Sequence, residues 1–472
     1  MEFPSINEFI KMSIESVVKN GFCIGCGGCQ YSSDGEIEIK FVDGFYKASI
    51  EGASKSVLRE ASSICPFSDD SLTENQLADR SFLSNALNYS EDIGYYNELY
   101  AGKVADDVER ENSSSGGMTT WILERLLDLG EVDRVIHVSE SENGMFQYKV
   151  SSTIEELRTG KKSKYYPVTM GGILGEIDSK LNYAITGVPC FIKTIRSLQY
   201  NNQLKNVKYC VALFCGHLKY SYFSEMLGWE LGVNPKKLNN FNFRKKVIGY
   251  NSSDYFVEAI GESTSKQGRV SEQFGTNWAH GFFKPQACEF CDDICGELSD
   301  ITLGDAWLPE YTEDWLGTNI VISRNSVIDS ILKTGIESKA IRLDSLSENK
   351  VLKSQDANYR HRRGGIVFRT KYLGEDAWVP KKRVELCGKY YDSSKDSIWE
   401  ERWKLSKDSI RLFRLAKKYN VYILFKIPMY AKVIRYNAKV CGPLNALTGE
   451  ARQIFLKIYR KSGLRKLIKG QQ

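Results

Sequence analysis

The chain has 472 residues, is 42% hydrophobic and 26% charged, and carries a formal net charge of +5. That composition is ordinary for a soluble globular protein with room for two or three domains, and no internal repeat or low-complexity segment interrupts it. No apolar run of about eighteen residues predicts a transmembrane helix. The start, "MEFPSINEFIKMS", lacks the basic and apolar regions of a signal peptide, so the expected location is cytoplasmic.

Residues 1–80 read as a small module. The weakly amphipathic start runs to Gly21 and is followed by "CIGCGGCQ". Next come two alternating runs around Asp43-Gly44, a strong hairpin signal, and the module closes at Cys65-Pro66. Residues 81–95 read as a linker. From 96 to 375 helical and strand patterns alternate: "WILERLLDLG" as a helix, "VDRVIHV" as a strand, "NYAITGVPC" as a strand running into a turn, "FIKTIRSLQ" as a helix, "VKYCVALFCG" as a strand. This alternation predicts an α/β domain with a largely parallel sheet, whose sites lie at strand C-terminal ends. Residues 381–472 read as basic helices broken by Pro428. They carry 23 Lys and Arg against 7 Asp and Glu, whereas the other residues carry 41 against 52. An acidic body thus bears a basic tail. Two readings stand: peripheral contact with an anionic surface at the inner face of a membrane, or a helical cap packed on the acidic body. No nucleic-acid-binding module accompanies the charge, so nucleic acid is not an expected partner.

Twelve cysteines without a secretory signal argue for metal binding or redox chemistry rather than disulfides. Cys23, Cys26 and Cys29 form C-x2-C-x2-C, and Cys65 adds a fourth thiol before a proline, as in bacterial ferredoxins. Short loops of this kind wrap one corner of a [4Fe–4S] cube, and Gly25, Gly27 and Gly28 allow close backbone approach. A structural zinc site is the alternative. The second set is dispersed: Cys190 and Cys215 at predicted strand ends, and Cys288, Cys291 and Cys295 in "ACEFCDDICGELSD". Zinc stays open for this set. Cys210 reads as a buried hydrophobe, and Cys387 and Cys441 as free thiols. "NSSSGGMTTWILERLLDLG" places Ser113, Ser114, Ser115, Gly116 and Gly117 before a helix. Such a turn either binds phosphate through free N–H groups or merely caps the helix. Neither a G-x-G-x-x-G nor a Walker A sequence is present. His217 follows Cys215-Gly216 as a proton donor or as a structural histidine; His280 near the second set carries the same two readings. Trp307, after "DITLGDA", reads as core or as a neighbour of a cofactor.

In this order, "CIGCGGCQ…CP", "SSSGGMTTWILERLLDLGEVD", "SKYYPV", "TGVPCFIKTIRSL", "LFCG", "KPQACEFCDDICGELSDITLGDAW" and "GTNIVISR" resemble the family of coenzyme F420 hydrogenase/dehydrogenase beta subunits, over about residues 15–370. The resemblance implies non-covalent FAD and two [4Fe–4S] clusters. It implies that Ser114, Ser115, Gly116 and Gly117 cradle the FAD phosphates, and that Lys164 and Tyr165 lie near the flavin. It also implies that Cys190, Cys215, Cys288 and Cys291 hold the second cluster, with Cys295 able to replace one of them. The expected fold is then α+β/α/β: a ferredoxin-like [4Fe–4S] module (1–80), a FAD- and iron–sulfur-binding catalytic α/β domain (96–375), and a basic helical extension (381–472). The expected function is an oxidoreductase. Electrons pass between a ferredoxin-type donor, the clusters and FAD, and reach a small-molecule, deazaflavin or sugar-linked substrate, the last in polysaccharide biosynthesis. The alternative is an electron-relay subunit of a larger redox complex with no substrate of its own.

Overall fold

The computed structural model describes residues 14–85, 87–142, 144–383 and 388–446. Helix α1 (Ile14–Lys19) leads into the cysteine loop through Gly21. Strands β1 (Glu38–Val42) and β2 (Phe45–Ser49) pair with Val42 opposite Phe45. Asp43 and Gly44 therefore form a two-residue turn, both at positive φ (54° and 78°), as the right-handed twist of a hairpin demands. Helix α2 (Lys55–Ile64), capped by Ser54, delivers Cys65 at its C-terminal end. Helix α3 (Glu74–Phe82) opens on a Thr73–Gln76 capping box. These elements keep a small core of their own, built from Ile14, Cys29, Ile37, Ala48 and Ala61, and add to a larger one in which Phe22, Ile24, Cys26, Ile64 and Phe67 pack with Ile185, Phe191, Ile192 and Ile195 of the central part.

The segment that reads as a linker is structured. Strands β3 (Asn88–Ser90) and β4 (Gly94–Tyr96) pair, and Asp92 and Ile93 between them are buried. Asp92 bonds Arg363 at 2.6 Å and also meets Lys389. Its partners lie far along the chain, so the local polar pattern can only suggest a loop.

The central sheet is built from β5 (Glu98–Val104), β6 (Arg134–Glu140), β7 (Phe146–Ser151), β8 (Tyr183–Gly187), β9 (Val207–Leu213), β13 (Ile301–Asp305), β14 (Asn319–Ser323) and β15 (Ile341–Ser345). These eight strands lie in the order β15-β5-β14-β13-β9-β8-β6-β7. Only β6, β8, β9 and β13 run parallel; the other neighbours pair antiparallel, so the sheet is mixed rather than largely parallel. A strand buried on both faces reads as the same apolar run in either direction, and its direction is fixed by a connection the pattern does not reveal. Helices α4 (Met118–Asp128) and α7 (Ser326–Glu337) cover one face through Ile122, Leu126, Ile328 and Leu332. Helix α5 (Pro189–Tyr200) covers the other, and Cys210, inside β9, is buried in the core it shares with α5. Helix α6 (Tyr222–Leu231) packs on a separate three-stranded sheet, β10 (Leu238–Lys245), β11 (Phe256–Gly261) and β12 (Ser265–Arg269). Helix α8 (Gly365–Leu373) follows a π-turn at Arg360–Gly364.

The described part of the basic tail is a helical hairpin, α9 (Asp396–Tyr419) and α10 (Ile423–Cys441). The chain turns at Asn420 (φ 53°), and Pro428 lies within α10 rather than breaking it. Pro428 withholds one N–H from the carbonyl of Leu424, a residue exposed enough for water to take its place. Phe413, Ala416, Phe425, Met429 and Val433 share a core with Phe241, Phe243, Phe274, Phe282 and Phe283 of the body. Ser409 Oγ accepts from the Phe283 N–H at 2.7 Å, and Arg402 Nε donates to the Ala279 carbonyl at 2.7 Å. Lys417 and Lys426 pair with Glu225 and Glu230 of α6 at 2.5 and 2.6 Å. The hairpin is thus a cap on the acidic body. No helix among the described residues is long and apolar enough to cross a membrane. Cys387 lies outside the described residues, and Cys441 is a free, exposed thiol.

Candidate metal centres and anion site

Cys23, Cys26, Cys29 and Cys65 line one cavity together with Ile14, Val17, Phe22, Ile64 and Thr194. Burial raises each thiol, and the neighbouring sulfurs raise Cys26, Cys29 and Cys65 further. Two sulfurs already accept hydrogen bonds: Cys23 Sγ from the Ala48 N–H at 3.3 Å, and Cys26 Sγ from Thr194 Oγ1 at 3.4 Å. Four convergent thiols in an apolar cavity, with donors aimed at sulfur, fit a thiolate-held metal centre, because a bound cation supplies the charge that burial otherwise opposes. The glycines also serve the packing of the loop. A Cβ at Gly25 would meet Tyr46 at 2.4 Å, one at Gly27 the Gly171 nitrogen at 2.1 Å, and one at Gly28 the Thr194 methyl at 2.2 Å. They let the loop close onto β2, the Met170–Gly171 segment and α5. Gly27→Ala, at φ 93° and against backbone, should destabilise the protein by about 3 kcal/mol or more, read as a lower thermal midpoint.

The dispersed cysteines divide. Cys190 opens α5 just after β8, and Cys215 follows β9, so two adjacent parallel strands deliver them at their C-terminal ends. The Gln286–Glu289 turn brings Cys288 and the loop after it brings Cys291. After burial, Cys190 is raised by Cys291, Cys215 and Cys288 in turn. Cys215 is pushed up to about 11 and Cys288 to about 12, both chiefly by burial. The Leu218 N–H donates to Cys288 Sγ at 3.3 Å. Arg362 fastens the two loops: Nε donates to the Cys291 carbonyl (2.8 Å), Nη1 to those of Cys215 (2.6 Å) and Gly216 (3.0 Å), and Nη2 to that of Asp293 (2.9 Å). Thr194 joins the two four-cysteine sites, since its hydroxyl touches both Cys26 Sγ and the Cys190 carbonyl (3.1 Å).

Cys295 stands apart from this set. Its Sγ faces the carbonyls of Asp92 and Ile93, and it lies within 4.8 Å of carboxylate oxygens of Asp293 and Glu297. Arg363 and Arg383 pair with Glu297, and Arg324 adds a third guanidinium beside Cys295. Three cations fill the role a metal ion would have there, so this cluster is an ion-pair hub. Burial and Glu297 push the Asp293 carboxyl up to about 7.

The serine–glycine turn closes onto the opposite end of the sheet from β7. Gly117 caps α4 in the left-handed region, and Asn319 Oδ1 accepts from the Met118 N–H at 3.2 Å. Ser114 Oγ accepts from the Ser163 N–H at 2.6 Å, and Ser115 Oγ donates to the Thr318 carbonyl at 2.9 Å. A Cβ at Gly116 would meet the Gly102 carbonyl oxygen at 2.7 Å. Around the turn are cations that the motif does not reveal. Lys246 Nζ donates to the carbonyls of Arg110, Ser115 and Leu316. Burial, then Arg244 and Arg110, hold its pKa down to about 7. Arg110 bonds Asp314 and the Gly317 carbonyl, and Arg244 bonds Asp305 at 2.7 Å. A lysine whose charge is opposed by burial and then by cationic neighbours marks a place where an anion would be welcome. The one hint in the sequence is the "RKK" at 244–246.

Between this turn and the second cysteine set lies a run of rings. Tyr165, half-buried, packs edge-on to Phe243 (5.4 Å) and Trp278 (5.0 Å), and Trp278 lies 4.6 Å from His217. Lys219 Nζ sits 4.6 Å from the Trp278 ring and donates to the Phe282 carbonyl. His217 is buried beside this lysine. Burial, then Lys219, Lys284 and Arg402, hold its basicity well below the usual histidine range. Its Nδ1–H is spent on the Leu218 carbonyl at 3.1 Å. His280 is likewise held down to about 4 by burial, between Phe282 and Tyr436. Lys164 Nζ is turned back on the carbonyls of Gly160, Lys161 and Lys162, and burial lowers it to about 8. Trp307 is part-exposed at the end of β13, its ring 5.7 Å from the Arg244 guanidinium, and so is not core.

The family model for the N-terminal part of the coenzyme F420 hydrogenase/dehydrogenase beta subunit matches residues 99–175, and the model for its C terminus matches 181–349. Among curated proteins, the coenzyme F420-dependent sulfite reductase of Methanocaldococcus jannaschii is 25% identical over 279 residues, 55% of this chain and 40% of that protein. This chain therefore spans well under half the length of that relative. A subunit of the F(420)H(2) dehydrogenase of Methanosarcina mazei is 22% identical over 324 residues, 66% of this chain and 82% of that one. A chain of the F420-reducing [NiFe] hydrogenase complex from Methanosarcina barkeri superposes with a TM-score of 0.48 at 16% identity, over 62% of this chain and 98% of that one. With both halves of the family pattern matched in order along its central sheet, the chain belongs to the family of coenzyme F420 hydrogenase/dehydrogenase beta subunits.

Proposed function

We propose that this chain is an oxidoreductase that moves electrons between two [4Fe–4S] clusters and FAD. The observation that carries the reading is Thr194, whose hydroxyl touches Cys26 Sγ and the Cys190 carbonyl, so that two four-cysteine sites adjoin. In this reading Cys23, Cys26, Cys29 and Cys65 hold the outer cluster, and Cys190, Cys215, Cys288 and Cys291 the inner one. Cys295, with its sulfur turned to the Asp92 and Ile93 carbonyls, is not a ligand. Ser114, Ser115, Gly116 and Gly117 shape the turn that receives the FAD phosphates, and Arg110 and Lys246 supply the positive charge. Lys164 and Tyr165 wall the flavin side, with Tyr165, Trp278 and His217 filling the space to the inner cluster. Bound clusters carry single electrons, and FAD pairs them for two-electron chemistry. The protein's part is to space the groups, exclude water with its aromatic residues and keep His217 neutral. A ferredoxin-type donor would meet the outer site, and a small organic molecule or a deazaflavin the flavin.

Anaerobically purified protein should contain roughly eight iron, eight acid-labile sulfide and one FAD per chain. Cys26→Ser and Cys215→Ser should each remove about half the iron, whereas Cys295→Ser should leave it unchanged. Zinc in place of iron, or iron loss in Cys295→Ser, would sink the assignment. A second reading, a relay subunit without a substrate of its own, is favoured by the similarity to a protein named as part of a dehydrogenase. Reduction of a small-molecule acceptor by the isolated chain would argue against it.

A further inference from the structure

Helix α10 has two apolar faces. Phe425, Met429 and Val433 are buried against the body, whereas Ile423 and Ile427, one turn apart, are 53% and 62% exposed. Tyr419, on the other side of the Asn420 turn, is 58% exposed, and Val421 and Leu424 beside it are also open to solvent. Large apolar side chains grouped at one end of a hairpin are a surface built for contact rather than scattered exposure. The charge around them has one sign. Residues 404–446 contain ten Lys and Arg and a single acid, Asp408. Most of these cations are matched by acids such as Asp43, Glu225, Glu230 and Glu401, but Lys418 has no carboxylate within 4 Å among the described residues. Asn234 Nδ2 donates to Asn420 Oδ1 at 2.9 Å, which fastens a second loop to the same end. That loop presents Lys236 and Lys237, both exposed and likewise without a salt-bridge partner among the described residues.

We propose that this end of the hairpin is a membrane-docking tip. Tyr419, Val421, Ile423 and Ile427 seat at the boundary between acyl chains and headgroups of an anionic bilayer, and Lys418, Lys236 and Lys237 meet the lipid phosphates. An apolar tip ringed by unpaired lysines matches an interface that is apolar within and negative at its rim. Each lysine near such a surface is worth about a fivefold gain in binding. The contact is peripheral, since no described helix can span, and the inference stands independently of the cofactor reading.

The test is co-sedimentation of the full chain with vesicles of phosphatidylcholine alone and of phosphatidylcholine with phosphatidylglycerol. Wild type should bind the mixed vesicles, and more weakly with added salt. I423S/I427S should bind at least tenfold more weakly, and K236E/K237E should lose most of the preference for the anionic lipid. Both pairs are exposed, so helix content by circular dichroism should be unchanged. No binding by wild type, or full binding by I423S/I427S, overturns the proposal. A chain truncated after residue 446 that loses binding, beside an I423S/I427S chain that keeps it, also overturns it and assigns the contact to the sequence beyond. A dimer in light scattering that I423S/I427S breaks, without vesicle binding, overturns it in favour of a second copy.

Discussion

Arg362→Ala is expected to lower stability by about 3–5 kcal/mol and to empty the second four-cysteine site. The guanidinium is buried and donates to four carbonyls on two loops, those of Cys215, Gly216, Cys291 and Asp293. Its fork geometry serves all four at once, which one rotating ammonium cannot do, so Arg362→Lys should recover only part of the loss. Truncation leaves buried acceptors without donors and frees the Cys215 and Cys291 loops to separate. It also removes the positive charge that favours the thiolate form of Cys215, Cys288 and Cys291. Urea unfolding of the metal-free chain reads the first effect, and iron content after reconstitution reads the second. A variant that unfolds at the wild-type urea concentration and keeps all its iron would show that Arg362 fastens nothing.

What the sequence makes legible is local. Asp43-Gly44 marks its hairpin because only a few residues tolerate two positive φ values in succession. The x2, x2 cysteine spacing and the Pro after Cys65 are legible for the same reason: they are short-range geometry. Cys190 and Cys215 are placeable because strands end where Gly-Val-Pro and Phe-Cys-Gly begin. The outcome for Cys295 is not readable. Its spacing from Cys291 resembles that of a ligand, and what surrounds it is a hub of Asp92, Arg363, Glu297 and Arg383 drawn from distant parts of the chain. Arg362, Thr194 and Lys246 escape sequence reasoning likewise, since each acts on groups whose nearness only the fold creates. The basic tail shows the limit of composition: the same excess of Lys and Arg suits a membrane or an acidic protein surface, and the Lys417–Glu225 and Lys426–Glu230 pairs show that part of it is spent on the body.

Lys246→Met is expected to weaken FAD binding by about 10- to 100-fold, through loss of a nearby positive charge rather than of a direct hydrogen bond, and to change how stability depends on pH. In the folded chain burial comes first, then Arg244 and Arg110, in holding the lysine down to about 7 from its ordinary value of 10.5. Between those two values the unfolded chain binds the additional proton, so this group makes stability rise with pH across that window. Below about pH 7 the lysine is charged in both states, and its cost is felt in full. Methionine removes the cost but also leaves the carbonyls of Arg110, Ser115 and Leu316 without their donor. The variant should therefore be relatively more stable near pH 6 and relatively less stable near pH 9, the difference from wild type moving by about 1–3 kcal/mol. Binding an anion reverses the penalty, because a phosphate beside the ammonium raises its pKa again. Wild-type FAD affinity should then fall above about pH 7, by at most tenfold per unit, as binding must take up a proton. Lys246→Met should show a flat profile over the same range. Thermal unfolding of the flavin-free chains at the two pH values and fluorescence titration with FAD separate the two effects. A variant with wild-type affinity and a wild-type pH profile would place the pyrophosphate elsewhere and leave Lys246 as a clasp between the Arg110, Ser115 and Leu316 backbones.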